Sequence, residues 1–501
     1  MPDTNSVNSF LVLMSSDVDN FMYTYILVIL LIFTGLYFTV RTGFVQIRYI
    51  KDMFTQLFEK RVNKGDRAIS SFQAMMVSTG SRVGTANIAG IATALATGGP
   101  GALFWMWVMA IIGGASAFVE STLAQIWKVK EKEGEFRGGP AYYIQQGLGK
   151  RWMGIVFAIA LILCYIIGFN ELQAYNAASA LEYYIPDYST NGAAVIMGVV
   201  LVVLTAVVIF GGAKRISVIS SIVVPIMALA YIGLGIFVTV THLGLLPQAF
   251  ALMFQSAFDF SAIFGGFAGS AVMYGIKRGL FSNEAGMGSA PNAAATASVS
   301  HPAKQGLVQT LSVYIDTMFI CTCSAMLVLV FMVQDPAAAA GLNGMPLVQA
   351  AVHEFAGDVG IAFVTVAVFL FAYTSLTGNY FYAESNLKFI TGERKRLIFW
   401  FRIATLAIIF IGCLSNFDLA WNTADILMGI MCIINLIAIL ALGKWAILCL
   451  KDYSRQRKEG VDPVFSAASI PGLPPCECWN EPFDLQVEEA IIQNEEERET
   501  A

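Results

Sequence analysis

Two polar, glycine-rich stretches interrupt segments that are otherwise apolar. Their residue types suit the holding of small ions better than covalent chemistry. The first reads Ser78-Thr-Gly-Ser-Arg-Val-Gly-Thr-Ala-Asn-Ile-Ala-Gly90. The second reads Phe264-Gly-Gly-Phe-Ala-Gly-Ser-Ala-Val-Met-Tyr-Gly275, then Lys277-Arg-Gly-Leu-Phe-Ser-Asn-Glu-Ala-Gly-Met-Gly-Ser-Ala-Pro291. In hydrocarbon, backbone groups freed from a helix need partners, so irregular backbone persists only where protein or a cavity surrounds it. Read as an unwound stretch, the first segment starts a half-helix near Gly84–Thr85. That start aims N–H groups and a positive dipole end at the centre, which suits a carboxylate. The preceding half-helix ends near Thr79–Gly80 with free carbonyls, which suit a cation. The competing reading is a tight helix-packing face, Gly80-x-x-x-Gly84.

Other polar residues sit in apolar surroundings. Within Gly168-Phe-Asn-Glu-Leu-Gln-Ala-Tyr-Asn176, Gln173 and Asn176 share a helix face and Glu171 does not share it with Gln173. They read as ligand or network residues, or as interhelical hydrogen-bonding groups. A buried Arg82 needs an anionic partner, and Glu171 and Asp316 are the deepest carboxylates available. A structural ion pair is the expectation, with a gating or proton-linked role as the alternative. Glu384 is placed to pair with Lys388 one turn on, and Glu120 and Asp425 read as structural. The run Thr374-Ser-Leu-Thr-Gly-Asn379 supplies neutral oxygens that could complete a Na⁺ shell. The alternative is hydroxyls bonding back to their own helix. Eight cysteines show no even framework, and Cys476-x-Cys478 reads as surface thiols, with a metal site as the alternative. The sequence holds no Ser/His/Asp set and no cluster of metal ligands, so neither an enzyme nor a resident cofactor is expected.

The elements that must position these residues are membrane helices. Of 501 residues, 57% are hydrophobic and 13% charged. A soluble domain carries about twice that charge. Eleven segments are long and apolar enough to span: about 22–40, 68–97, 100–127, 152–182, 193–210, 216–240, 259–284, 306–333, 358–388, 397–414 and 419–450. Counting helix-end residues such as Arg402 with the nearest loop, and taking 277–305 and the tail after 443 among the loops, puts 29 of the 30 Lys and Arg on one side, with Arg82 left in a span. Cytoplasmic loops carry that excess, so the N-terminus is outside and the C-terminus inside. Residues 1–20 carry no Lys or Arg, so no secretory signal is evident. The chain then divides into an extra helix with a basic loop (1–67), five spans (68–240), five spans of opposite orientation (259–450) and a partly disordered cytoplasmic tail (451–501). Interrupted segments at matching places in two inverted halves point to a transporter's binding site. A channel would favour a continuous polar lining, and a sensor would need a sizeable soluble output domain.

Several stretches resemble one family. Val83-Gly-Thr-Ala-Asn-Ile-Ala-Gly90, Gly98-Gly-Pro-Gly-Ala-Leu-Phe-Trp-Met-Trp107, Gly138-Gly-Pro-Ala-Tyr-Tyr-Ile144 and the run Arg278–Pro291 are similar to the alanine/glycine:cation symporters. The resemblance runs from about residue 20 to 455. It implies an all-α, LeuT-type five-plus-five inverted repeat with one extra N-terminal helix, in a bacterial inner membrane. It also implies uptake of a small neutral amino acid such as alanine or glycine, coupled to Na⁺ or to H⁺. Beyond those and membrane lipid no partner is implied, neither nucleic acid nor an obligate protein. Carried over residue by residue, Gly84 and Thr85, with Ala86 beside them, would hold the substrate carboxylate, and Gln173 and Asn176 would line the site. The second break would fall around Gly269–Met273, with Gly269, Ser270 and Met273 at the substrate. The Na⁺ ligands would be carbonyls near Thr79 and Val83 and the hydroxyls of Thr374 and Ser375. The family often has Gly-Thr-Gly-Asn where this chain has Gly84-Thr-Ala-Asn87. It commonly has a Gly-Trp pair where this chain has Gly378-Asn379.

Overall fold

The predicted segments are helical, two of them interrupted, and the helices assemble into two packed layers. The computed structural model describes residues 16–59, 69–131 and 135–480. The cationic stretch 60–67 and the Glu-rich end of the tail lie outside the described residues. Helix α1 (Ser16–Arg41) is followed by two short helices, α2 (Val45–Arg48) and α3 (Ile50–Leu57). The first broken helix has halves α4 (Ser71–Arg82) and α5 (Ala89–Gly98). Ser70 starts α4 with a reciprocal cap: its hydroxyl accepts from the Gln73 N–H, and the Gln73 side chain accepts from its own. Next come α6 (Ala102–Ile126), a short hairpin of β1 (Val129–Lys130) and β2 (Phe136–Arg137), α7 (Pro140–Leu148), α8 (Arg151–Ser179), α9 (Ala193–Ile209) and α10 (Gly212–Thr241). The second half holds α11 (Leu246–Ala257), α12 (Phe260–Gly265), α13 (Ala271–Asn283), α14 (Ala290–Ala294), α15 (Pro302–Gln334), α16 (Gly344–Thr391), α17 (Lys395–Gly412) and α18 (Phe417–Lys458). Helix α16 bends sharply at Gly357, whose φ of 58° needs a glycine, so the predicted span 358–388 is its second part.

Among the described residues, seven helices are long and apolar enough to cross a bilayer: α1, α6, α8, α10, α15, α16 and α18. Their outward faces stay apolar. Ile29 and Phe33 on α1, and Ile222, Ile226 and Leu229 on α10, are all more than half exposed, as lipid rather than water permits.

In one layer α6 packs against both α13 and α15, and the broken helices lie alongside it. Half-helix α5 packs on α13, and α4 on α14. The other layer pairs α8 with α16 and α9 with α17. Helix α10 lies against α4, α15 and α16, joining the two layers.

Two expectations need correction. The stretch 277–305 is expected as a cytoplasmic loop, yet Lys277 and Arg278 are buried inside the fold. Lys277 Nζ lies 2.5 Å from Asp19 and 2.7 Å from Asp425, and Arg278 grips both Asp425 oxygens at 3.0 and 2.9 Å. Cations in this interior are tolerable because two carboxylates meet them, one near the start of α1 and one near the start of α18. The tail is also folded as far as residue 480. The Trp479 indole N–H donates to Gln125 O at 2.8 Å, and Phe465 N donates to Ser300 O at 2.9 Å. Cys476 and Cys478 are buried beneath this strap rather than displayed on a surface. Among the described residues no group of three or more metal-ligating side chains forms.

Candidate functional site

The first break spans Val83–Ile88. Val83 leaves the helix with ψ of 80°, Gly84 is extended, Thr85–Asn87 make one 3₁₀ turn, and α5 begins at Ala89. Every residue of the break is buried. Its donors are met from α8. Gln173 Oε1 accepts both the Thr85 N–H and the Thr85 hydroxyl at 2.9 Å. Asn176 Nδ2 donates to Thr85 Oγ at 2.9 Å. The i, i+3 face read from the sequence therefore does face the break. Gly84 lets α8 and α16 come close: a Cβ there would lie 2.4 Å from Gln173 Nε2 and 2.7 Å from Ser375 Oγ, so those side chains would have to shift. Ala86 is 5% exposed and packs toward Gly90, on which the Trp421 ring rests.

The end of α4 meets α16. Ser375 Oγ donates to Gly80 O at 3.0 Å, Ser81 Oγ donates to Asn379 Oδ1 at 2.7 Å, and Asn379 Nδ2 donates to Asn170 Oδ1 at 2.9 Å. The hydroxyl of Thr79 is buried with no partner, and Thr79 O accepts from Val83 N at 2.7 Å. Thr374 turns back on its own helix, donating to Leu370 O and Phe371 O at 3.1 Å. Of the four residues expected around Na⁺, Ser375 touches the α4 carbonyls and Thr79 offers a spare oxygen. Val83 supplies backbone, and Thr374 is back-bonded.

A second cluster of hard oxygens lies on the other side of the break. Asp316, on a wide π-helical turn of α15 (Ile315–Cys321), accepts from Asn87 Nδ2 at 2.6 Å and from the Ser282 hydroxyl. Ser282 also lies 3.0 Å from Thr317 Oγ. Asn87 and Ser282 have no cue in the sequence beyond the motifs that contain them, because their meeting needs three helices in place.

The second break is not where the glycine run placed it. Span 259–284 is interrupted at 266–270, and a second interruption, Glu284–Ser289, begins where the span ends. Residues 266–270, between α12 and α13, lie at the far end, where Gly265, Gly266 and Gly269 are exposed and a Cβ on any of them would meet nothing. Ser270 caps α13 by accepting from Met273 N at 3.3 Å. Tyr274, next to Met273, packs on Gly98 at the end of α5. That is eleven residues, about 16 Å of helix, from Asn87. Gly269, Ser270 and Met273 thus sit at the mouth of the layer, away from the first break. The buried interruption is Glu284–Ser289, between α13 and α14. Gly286 and Gly288 adopt φ of 85° and 87° there. Their N–H groups donate to the two Glu120 oxygens at 3.1 Å, and Asn435 Nδ2 adds a third bond at 2.8 Å.

Arg82 is also corrected. It is 2% exposed, and Nη1 donates to Ser312 Oγ at 2.9 Å, but no carboxylate lies within ion-pair distance among the described residues. As the last residue of α4, it sets its charge against the negative end of that half-helix. Glu171 faces elsewhere and accepts from Ser415 Oγ at 2.6 Å. Glu384 does pair with Lys388, at 3.0 Å.

Aromatic rings wall the break. Phe281 lies 4.6 Å from Phe169 and 5.7 Å from Trp421 between ring centroids. A cavity of about 220 Å³ opens beside Asn176, lined by Tyr175, Ser179, Asn343 and Phe417. Asn176 thus reaches both the buried break, through Thr85, and this cavity.

Comparison with known proteins agrees with this architecture. The family model described as the sodium:alanine symporter family matches residues 8–467. The amino-acid carrier protein AlsT of Bacillus subtilis is 48% identical over 462 residues, covering 92% of this chain and 96% of AlsT. The sodium/alanine symporter AgcS of Methanococcus maripaludis is 36% identical over 88% of this chain and 97% of AgcS. Among solved structures, MhsT in complex with L-phenylalanine superposes with a TM-score of 0.52 at 17% identity, covering 77% of this chain and 96% of MhsT. That likeness is one of fold, the all-helical LeuT plan. With the match running through both halves and both breaks, the chain belongs to the sodium:alanine symporter family.

Proposed function

We propose that this protein is a secondary active symporter that couples Na⁺ entry to uptake of a small neutral amino acid such as alanine or glycine. It would span the bacterial plasma membrane eleven times, N-terminus outside, and work by alternating access. The observation that carries the reading is the pair of Thr85 donors aimed at one oxygen of Gln173. An amide oxygen there holds the place that a substrate carboxylate oxygen would take, and a rotation of Gln173 would free both donors. The second break, by contrast, already contains a carboxylate, Glu120, on its free N–H groups. The first break is therefore the one left for the anionic end of a zwitterion. Aromatic walls close around it and favour a small side chain. Na⁺ would use the Gly80 and Val83 backbone with Thr79 and Ser375 oxygens, or the Asp316–Asn87–Ser282 cluster. A cation at either place offsets the substrate carboxylate in a low-dielectric site, which couples the two bindings. Relatives support this range: AgcS is a sodium/alanine symporter, and GlnT of Bacillus subtilis, 46% identical, is a probable sodium/glutamine symporter.

H⁺ coupling through Asp316 is the second reading, favoured by a carboxylate buried beside the break. Counterflow of labelled alanine in proteoliposomes separates the two. Exchange that depends on Na⁺ and survives collapse of the proton gradient is expected. Absence of Na⁺-dependent exchange for every small amino acid would overturn the proposal.

A further inference from the structure

At the tail-bearing end of the fold, an open groove of about 650 Å³ runs between the end of α1 and the last turns of α18. Five cations line it, Arg41, Arg48, Lys451, Arg455 and Lys458, against a single carboxylate, Glu459. Arg455 is already engaged, 2.6 Å from Asp452 and 3.7 Å from Glu459. Arg48 is held in place over the Tyr49 ring at 4.7 Å and donates to Thr42 O at 3.4 Å. Arg41, Lys451 and Lys458 form no ion pair among the described residues. The groove therefore keeps an excess of positive charge facing outward.

A second observation says what faces it. The chain leaving the groove at Gly43 runs into α2 and α3, which carry an exposed apolar stripe of Phe44, Ile47, Ile50, Phe54 and Phe58, from 44% to 74% exposed. The spacing is helical, and the opposite face is buried through Met53, Gln56 and Leu57. A segment with that division lies in the plane of a membrane interface, its apolar face in the acyl boundary. With that segment in the interface, the groove would open at headgroup depth, and Val40, which lines it, is 68% exposed.

We propose that this groove binds the headgroup phosphate of an anionic phospholipid, with its acyl chains along α1. Basic pockets between membrane helices on the cytoplasmic side suit such headgroups. The test uses the full-length protein, delipidated in detergent. Binding is read by native mass spectrometry and by thermal shift, with phosphatidylglycerol, phosphatidylcholine and inorganic phosphate as separate ligands. Phosphatidylglycerol is expected to bind and stabilise, and the other two are not. The triple variant Arg41→Gln/Lys451→Gln/Lys458→Gln should lose on the order of 100-fold in apparent affinity for phosphatidylglycerol. The charge-keeping variant Arg41→Lys/Lys451→Arg/Lys458→Arg should retain it. Equal binding of the zwitterionic lipid, full stabilisation by phosphate alone, or unchanged affinity in the neutral variant would each overturn the proposal. Should the neutral variant not fold, the wild type still decides. Added salt must then weaken phosphatidylglycerol binding, and salt-independent binding would overturn the proposal equally.

Discussion

Thr85 gathers three polar contacts in one residue of the first break. Its N–H and hydroxyl converge on Gln173 at 2.9 Å, and its oxygen accepts from Asn176 at the same distance. Thr85→Val keeps the shape and the N–H but removes the hydroxyl donor and acceptor. Losing one hydrogen bond to a charged oxygen costs about 1.5 kcal/mol, so the substrate affinity should fall about tenfold. Binding measured by scintillation proximity on protein of unchanged melting temperature checks this, and unchanged affinity would remove Thr85 from the site. At this scale much was legible. A hydroxyl beside glycine in an apolar span, and two amides spaced i, i+3, are anomalies that membrane burial makes costly unless they meet partners. Arg82 was legible as an oddity but not as an outcome. The sequence offers carboxylates at suitable depth, yet only the fold shows that its contact is Ser312 and that its charge sits at a half-helix end.

The two broken helices are alike in plan and differ in how their free backbone groups are satisfied. The first uses a neutral amide that a ligand could displace; the second uses Glu120, fixed by two glycine N–H groups and by Asn435. Glu120→Ala would strand those N–H groups in a buried place, where each unsatisfied donor costs about 1–3 kcal/mol. A clear fall in melting temperature of the purified protein is expected, whereas Glu120→Gln, which keeps an acceptor, should lose less. Equal stability of the Ala variant and the wild type would refute the role. The position of the second break was the part of the fold that sequence reasoning misread. The glycine-rich stretch 264–275 and the family resemblance pointed to Gly269–Met273, beside a turn at an exposed end. The true interruption at 284–289 has fewer glycines and includes Glu284, Met287 and Ser289. Its irregular backbone is stabilised by a carboxylate from α6, more than 160 residues earlier. Local composition cannot register a partner supplied from so far away. Helix limits fared better, since runs of about 20 apolar residues carry their own boundary signal.

Across the whole molecule, the tail ties together elements that sequence reading kept apart. Residues after α18 fold back under α6, the β-hairpin and the loop before α15. The Lys128 ammonium sits 4.1 Å from the Phe136 ring and 4.9 Å from the Trp479 ring, and Lys304 bridges Glu59 at 2.6 Å and Asp462 at 2.8 Å. Composition suggested partial disorder here because the segment is rich in proline and acid, and its few large apolar residues, Phe465, Ile470 and Trp479, reveal their role only once a groove exists to receive them. His301 lies at the centre of this junction, fully buried between the Tyr453 and Phe465 rings, with Nε2 3.4 Å from Asp452. Burial pushes its imidazole below the ordinary value, outweighing the opposing pull of Asp452. The neutral ring is therefore the form that fits. A group whose folded pKa is depressed contributes stability that is present above its unfolded value, about 6.5 for histidine, and that declines as pH falls through it. The docked strap should accordingly loosen on acidification. Limited proteolysis of residues 459–480 in the intact protein should run faster at pH 5.5 than at pH 7.5, and His301→Gln, which cannot titrate, should cleave at one rate at both. Equal rates in the wild type would mean that the junction does not sense His301 at all.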